Sequence, residues 1–226
     1  MRSVLFAGVA AAALLVGSAA PSQASLMLEL DSGLATGSAS SLTGIVTFNG
    51  GVGNFVANVT TGVSKPLVGS ATQPILDLNS IDINAGAGGT LTLKLTDTDF
   101  LGSGSEALFL DAVGGTLSSG TIEVATYMDC SDTAFGTGTK LTDQTFGTGA
   151  FSGTPQDFAT TCSGAYSLTQ IATLTMPGGG LFSGDSSLSI PEPSTLALFG
   201  VGLLGLGFGV RCKYSVARTD SGKAAA

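Results

Sequence analysis

The sequence predicts an all-β protein: one antiparallel β-sandwich, with a jelly roll as a variant, held between an N-terminal secretory signal peptide and a C-terminal transmembrane helix. Three observations carry this expectation. Residues 25–189 break into short, partly alternating apolar runs separated by clusters of Gly, Ser, Asn and Pro. Nothing in that stretch has the 3.6-residue apolar periodicity of an amphipathic helix of ordinary length. Two uncharged apolar segments lie outside it, and they account for a mean hydropathy of +0.45, which is high for a soluble domain.

Residues 1–24 form the first element. Arg2 supplies a positive start, residues 4–16 form an apolar region of the right length, and Ser22 and Ala24 put small residues at the positions a signal peptidase reads. Cleavage is expected between Ala24 and Ser25.

The second element is the body, residues 25–189. Its expected strands are LMLEL, GIVTF, NFVANVTT, ILDLNSIDIN, TLTLKLTD, ALFLDAV, TIEVATYM and YSLTQIATLTM, about eight in all, a number suited to a sandwich. Two FGTG elements, in AFGTGT from Ala134 and TFGTGA from Thr145, are read as equivalent turns, because no such period runs through the chain. Lys65, Lys94 and Lys140 face fourteen acids in the body, a net charge of −11. That surface repels nucleic acid and anionic lipid.

Cys130 and Cys162 both lie in the body, whereas Cys212 lies beyond the C-terminal apolar segment. Export therefore leaves an even pair in the oxidising compartment, and a disulfide between them is expected. It would close a Gly- and Thr-rich loop and contribute about 3–4 kcal/mol by chain entropy. The chain contains no histidine, so a zinc site has no support.

The third element is residues 190–226, with a membrane-spanning helix over 195–210. Residues 196–210 carry no charge and would reach about 22 Å as a helix, short of a bilayer core of about 30 Å. Gly205 and Gly209 suit close helix approach, and Arg211 and Lys213 provide the basic stop and long stems that snorkel. Upstream, Pro191 and Pro193 hold Glu192 in extended backbone, where a protease can read it.

Pro191-Glu192-Pro193-Ser194-Thr195, then the apolar span, then Arg211, resemble the PEP-CTERM sorting domain of Gram-negative bacteria. The resemblance covers only the C-terminal segment. It implies partnership with the secretion machinery, transient anchoring in the inner membrane, and cleavage near the tripeptide by an exosortase, which delivers the body to the cell surface or outside. The basic residues here are spread as Arg211, Lys213, Arg218 and Lys223 rather than clustered tightly. The body itself is similar to uncharacterised passenger domains of that group, a likeness that implies no activity.

Without histidine there is no Ser-His or Cys-His nucleophile, and no glycine-rich loop of the body is joined to a lysine as a phosphate cradle would be. Asp97 and Asp99 in LTDTDF are the sharpest acid pair. On a regular strand they share a face with Cα atoms about 6.6 Å apart. Such acids usually come from different elements in glycosidases, so no catalytic residue is assigned and no enzyme is expected. Calcium is the better use of the same groups: Asp77, Asp82, Asp97 and Asp99 offer hard oxygens, set against solvated turn positions as the alternative. No other cofactor is expected. Two roles stay open: a structural or display protein of the surface or matrix, and a carbohydrate- or calcium-binding module associated with exopolysaccharide. The body has no Trp and only Tyr127 and Tyr166 for stacking on sugars, which favours the first.

Overall fold

A computed structural model describes residues 25–191. The signal peptide expected over residues 1–24, Glu192 to Thr195, the helix expected over 195–210, and Arg211 and Lys213 all lie outside the described residues. Thirteen strands follow one another: β1 Leu26–Asp31, β2 Thr36–Ser41, β3 Ile45–Val52, β4 Phe55–Val63, β5 Ile75–Ala85, β6 Gly89–Ser103, β7 Glu106–Leu117, β8 Thr121–Asp129, β9 Thr139–Phe146, β10 Gly149–Gly153, β11 Gln156–Thr160, β12 Ser163–Met176 and β13 Gly180–Ser189. They form two antiparallel sheets. Sheet A runs β2-β1-β6-β12-β8-β9, and sheet B runs β10-β7-β13-β5-β4-β3 with β11 also on β7.

From β5 onward the pairing is nested: β5 with β13, β6 with β12, β7 with β10 and β11, and β8 with β9. This is the winding of a jelly roll, in which successive pairs fall alternately into the two sheets. The hairpins β1-β2 and β3-β4 extend one edge of each sheet.

All eight expected runs are strands. The count of eight is nevertheless too low, because the sequence pattern does not predict β2, β9, β10, β11 and β13. Their sequences, such as TGSASS and GLFSGDSSLS, are dominated by small polar residues. Pairing to neighbours, more than an apolar stripe, holds β2, β10 and β11 in place, whereas β9 and β13 bury only two apolar side chains each, Leu141 and Phe146, and Phe182 and Leu188. The Cys130 to Cys162 interval is likewise not an open loop, since it contains β9, β10 and β11. The two FGTG elements bracket β9, one leading into it and the other turning the chain into β10.

Inward side chains alternate along each strand, as in LMLELD of β1, where Leu26, Leu28 and Leu30 are fully buried. They meet Leu91, Leu93 and Leu95 of β6, Leu76 and Leu78 of β5, and Phe55 and Phe109 in one continuous core. At the β7–β8 turn, Gly120 has φ +93°, and a Cβ there would stand 2.0 Å from the Thr175 carbonyl oxygen, so only glycine serves.

The core also contains a polar chain linking the sheets. Gln170 Nε2 donates to Ser186 Oγ at 2.9 Å, and Ser186 donates to Asp111 Oδ1 at 2.8 Å. Among the described residues Asp111 Oδ2 and Gln170 Oε1 find no hydrogen-bond partner, although Asp111 is 0% exposed. Burial pushes the Asp111 carboxyl up to about 6 from 3.8, against the opposing hydrogen bonds from Ser186 and Gln170. A raised carboxyl pKa means the folded state binds the proton more tightly than the unfolded one. Stability should therefore fall as pH rises from about 4 through 6, by about 3 kcal/mol in total. Asp111→Asn should remove this slope and melt higher than wild type at pH 7.5 in thermal scans across pH 4.5–8. Parallel slopes for the two proteins would show that Asp111 does not govern the pH dependence.

Candidate functional site

The acids singled out in the sequence do not converge. Opposite Ser167 of β12, strand β6 carries an extra residue, since Tyr166 pairs with Phe100 but Leu168 with Asp97. Asp99 sits in this bulge at φ +61°. The shared face expected for Asp97 and Asp99 is thereby lost. Asp97 turns into the core, 0% exposed, where Lys65 Nζ lies 2.9 Å and Ser64 Oγ 2.7 Å from its Oδ2. The Lys65 ammonium also donates to the Thr98 carbonyl and rests 3.6 Å from the centre of the Phe100 ring. Asp99 turns instead toward the segment after β8, where its N–H donates to Asp132 Oδ1 at 2.9 Å.

Asp77 and Asp82 lie elsewhere, on the outer face of sheet B. Of the four acids expected to hold calcium, Asp97 is thus spent on a lysine, and the bulge and two separate sheets keep the others from meeting it. Among the described residues no three of His, Cys, Asp or Glu are grouped as a metal ion would require. Cys130 and Cys162 do meet, at a Cα separation of 5.4 Å, and their sulfurs are bonded.

What the strands do gather is a polar trough on the outer face of sheet B. Register places outward side chains in lateral rows. One row runs Asn58, Asp82, Ser183, Thr116 and Ala150 across β4, β5, β13, β7 and β10. The next, toward one end, holds Val56, Asn84 and Leu181, with Ser118 beside them. In the other direction Asp185, Gly114 and Ser152 lie abreast. Three hollows of about 580, 360 and 380 Å³ follow one another along these rows and share lining residues, Thr116 and Ser183 between the first two and Asp185 between the last two.

Gly114 keeps the floor low: a Cβ there would just touch the Asp185 carboxylate, at 3.7 Å. Partial desolvation in the trough, and then the charge of Asp77, hold the Asp185 carboxyl above its usual range. Farther along β7, Phe158 of β11 pairs with Leu108 and is 61% exposed, the only exposed aromatic side chain among the described residues. No sequence pattern announces this surface, because its members come from five strands and only pairing aligns them.

A second feature is the end from which both chain ends leave. The Ser25 N–H is 3.3 Å from Thr98 Oγ1, and the Ile190 N–H donates to the Pro74 carbonyl at 3.3 Å. Ile190 packs against the core and Pro191 is exposed. A cleft of about 440 Å³ lined by Leu101, Glu106, Tyr166, Ile190 and Pro191 adjoins the exit.

Two antiparallel sheets packed face to face define the body as a β-sandwich module. At its end the chain carries a PEP-CTERM protein-sorting motif, matched over residues 189–213, which implies processing by an exosortase; proteins with this motif are exported and sorted to the cell surface. No curated protein sequence matches the chain. Among solved structures the body is similar to a family 35 carbohydrate-binding module from Clostridium thermocellum, at 6% identity and TM-score 0.29 over 63% of this chain and 90% of that one. It is also similar to a family 35 module from Paenibacillus barcinonensis, at 15% identity and TM-score 0.23 over 62% and 96%. A third likeness is to the enzymatically active domain of bacteriophage CBA120 tailspike protein 4, at 11% identity and TM-score 0.33. It covers 57% of this chain but only 18% of that one, so the chain spans under a fifth of the tailspike domain.

Proposed function

We propose that the protein is exported by a cleaved signal peptide, held briefly in the inner membrane, released by an exosortase, and displayed at the cell surface or in the extracellular matrix without catalysing a reaction. The observation that carries this reading is the junction at Ile190. The sorting motif follows the last strand without a spacer, and among the described residues the last backbone anchor to the fold is at Ile190, one residue before Pro191. A body that folds after export and whose two ends leave together can be anchored and cut at the membrane without being opened. The non-catalytic part is supported by the absence of histidine and by the pairing of Asp97 with Lys65.

Intact-mass measurement tests the processing. The mature species should begin at Ser25 and end within 191–195. Glu192→Ala should leave the precursor in the membrane fraction, since export is unaffected and the anchor stays. A released form still carrying residues 196–210 would overturn the reading.

The trough on sheet B favours a second reading, in which display serves binding: the body is a module that holds a glycan of the surrounding polysaccharide. Clustered amide, hydroxyl and carboxylate side chains on a rigid sheet suit sugar hydroxyls, each of which both donates and accepts. Retention of the protein by immobilised polysaccharide checks it.

A further inference from the structure

We infer that the trough along β7 and β13 is a binding site for an extended glycan chain that bears no acid groups, seated over Gly114 between Asp185 and Ser152 and running toward Phe158. The inference rests on the glycan-binding reading above and gives it a place, a direction and a ligand class.

Charge sets the class. Asp82 and Asp185 line the trough and Asp77 is close enough to act on Asp185. None of the three lysines of the body opposes them there: Lys94 and Lys140 belong to β6 and β9 of sheet A, and Lys65 is buried against Asp97. Uronates, sulfated sugars, nucleic acid and phospholipid headgroups would all meet unopposed carboxylates. Neutral hydroxyls donate to carboxylates, and amino sugars add a charge-assisted bond.

Shape sets the direction. Outward positions two apart on a strand are spaced about 7 Å, so the rows from Thr116 to Leu108 on β7 mark a path of about 27 Å. Small side chains floor its middle, Gly114 and Ala112, while β13 and β10 stand on either side. Phe158 lies at the far end, where an exposed ring can stack on a sugar face. A polymer lying lengthwise meets hydrogen-bonding groups first and an aromatic platform last.

Gly114 offers a clean test, because a Cβ added there makes only ordinary van der Waals contact, 3.7 Å from the Asp185 carboxylate, so a larger side chain would occupy the trough. The full chain, purified in a nonionic detergent, should be retarded in native affinity gels containing hydroxyethyl cellulose or chitosan oligomers, and not in gels containing polygalacturonate. Gly114→Trp should weaken that retardation about tenfold in apparent Kd. Ala112→Trp fills the same path and serves if the first variant does not fold, and unchanged melting confirms that each is native. Retardation by neutral or amino glycans that both tryptophan variants retain would overturn the site while leaving the glycan reading intact. Retardation by polygalacturonate alone would overturn the ligand class. A protein that binds no glycan, or only polylysine, would overturn both the site and the reading beneath it.

Discussion

Asp97→Ala should destabilise the body by about 3–5 kcal/mol, a large share of the 5–15 kcal/mol typical of a folded domain. The cost arises from what stays behind. Lys65 is only 9% exposed, and its ammonium would keep the Thr98 carbonyl and the Phe100 ring but lose the ion pair and hydrogen bond to Asp97 Oδ2. Burial already pulls the Lys65 ammonium below its ordinary range, and Asp97 is the main force opposing that pull. Without Asp97 the lysine must lose its proton or draw in water, and either route weakens the packing of β4, β5 and β6 at that end of the sandwich.

Lys65→Met should cost a similar amount, because it leaves Asp97 buried with Ser64 as its remaining side-chain donor to Oδ2. The double variant Lys65→Met with Asp97→Leu should recover most of the loss, since a well-packed apolar pair removes both desolvation penalties. Urea unfolding of the three variants measures the cycle. If the double variant is as unstable as the sum of the singles, the pair is not the source of the effect.

Loss of the Cys130–Cys162 disulfide should lower the melting temperature by about 10 °C, the shift that about 3–4 kcal/mol produces in a domain of this size. The bond joins the end of β8 to the residue preceding β12 and closes a span of 32 residues. Within it the chain forms β9 at the edge of sheet A, crosses between the sheets, and forms β10 and β11 on the edge of sheet B. Edge strands have one partner each, so this excursion is the part of the jelly roll least held by pairing. Cys130→Ser, Cys162→Ser and the double variant should therefore melt alike and below wild type, and amide exchange should rise first in residues 139–160. Wild-type melting in all three would mean that the exported protein does not carry the bond.

The linear sequence determined the C-terminal sorting motif and the strands that carry their own apolar stripe. An address motif is a pattern of neighbouring residues, so Pro191 to Thr195 and the charges at Arg211 and Lys213 are legible without a fold. Strands such as LMLEL and TLTLKLTD announce themselves because alternation is a local property of the backbone. The cysteine pairing followed from the compartment and an even count, and geometry then placed the sulfurs together.

Only the tertiary structure decided what lies beside what. One bulge at Asp99 sent two acids in different directions, and no local pattern in LTDTDF signals an extra residue opposite Ser167. The strands β2, β10, β11 and β13 have too little apolar surface to be read alone and exist because a neighbour offers them hydrogen bonds. The trough is the extreme case: Asn58, Asp82, Thr116 and Ser183 share a row only because four strands pair in one register. Side-chain direction along a strand is fixed by a period of two, whereas lateral neighbours are fixed by long-range pairing, which no stretch of residues contains by itself.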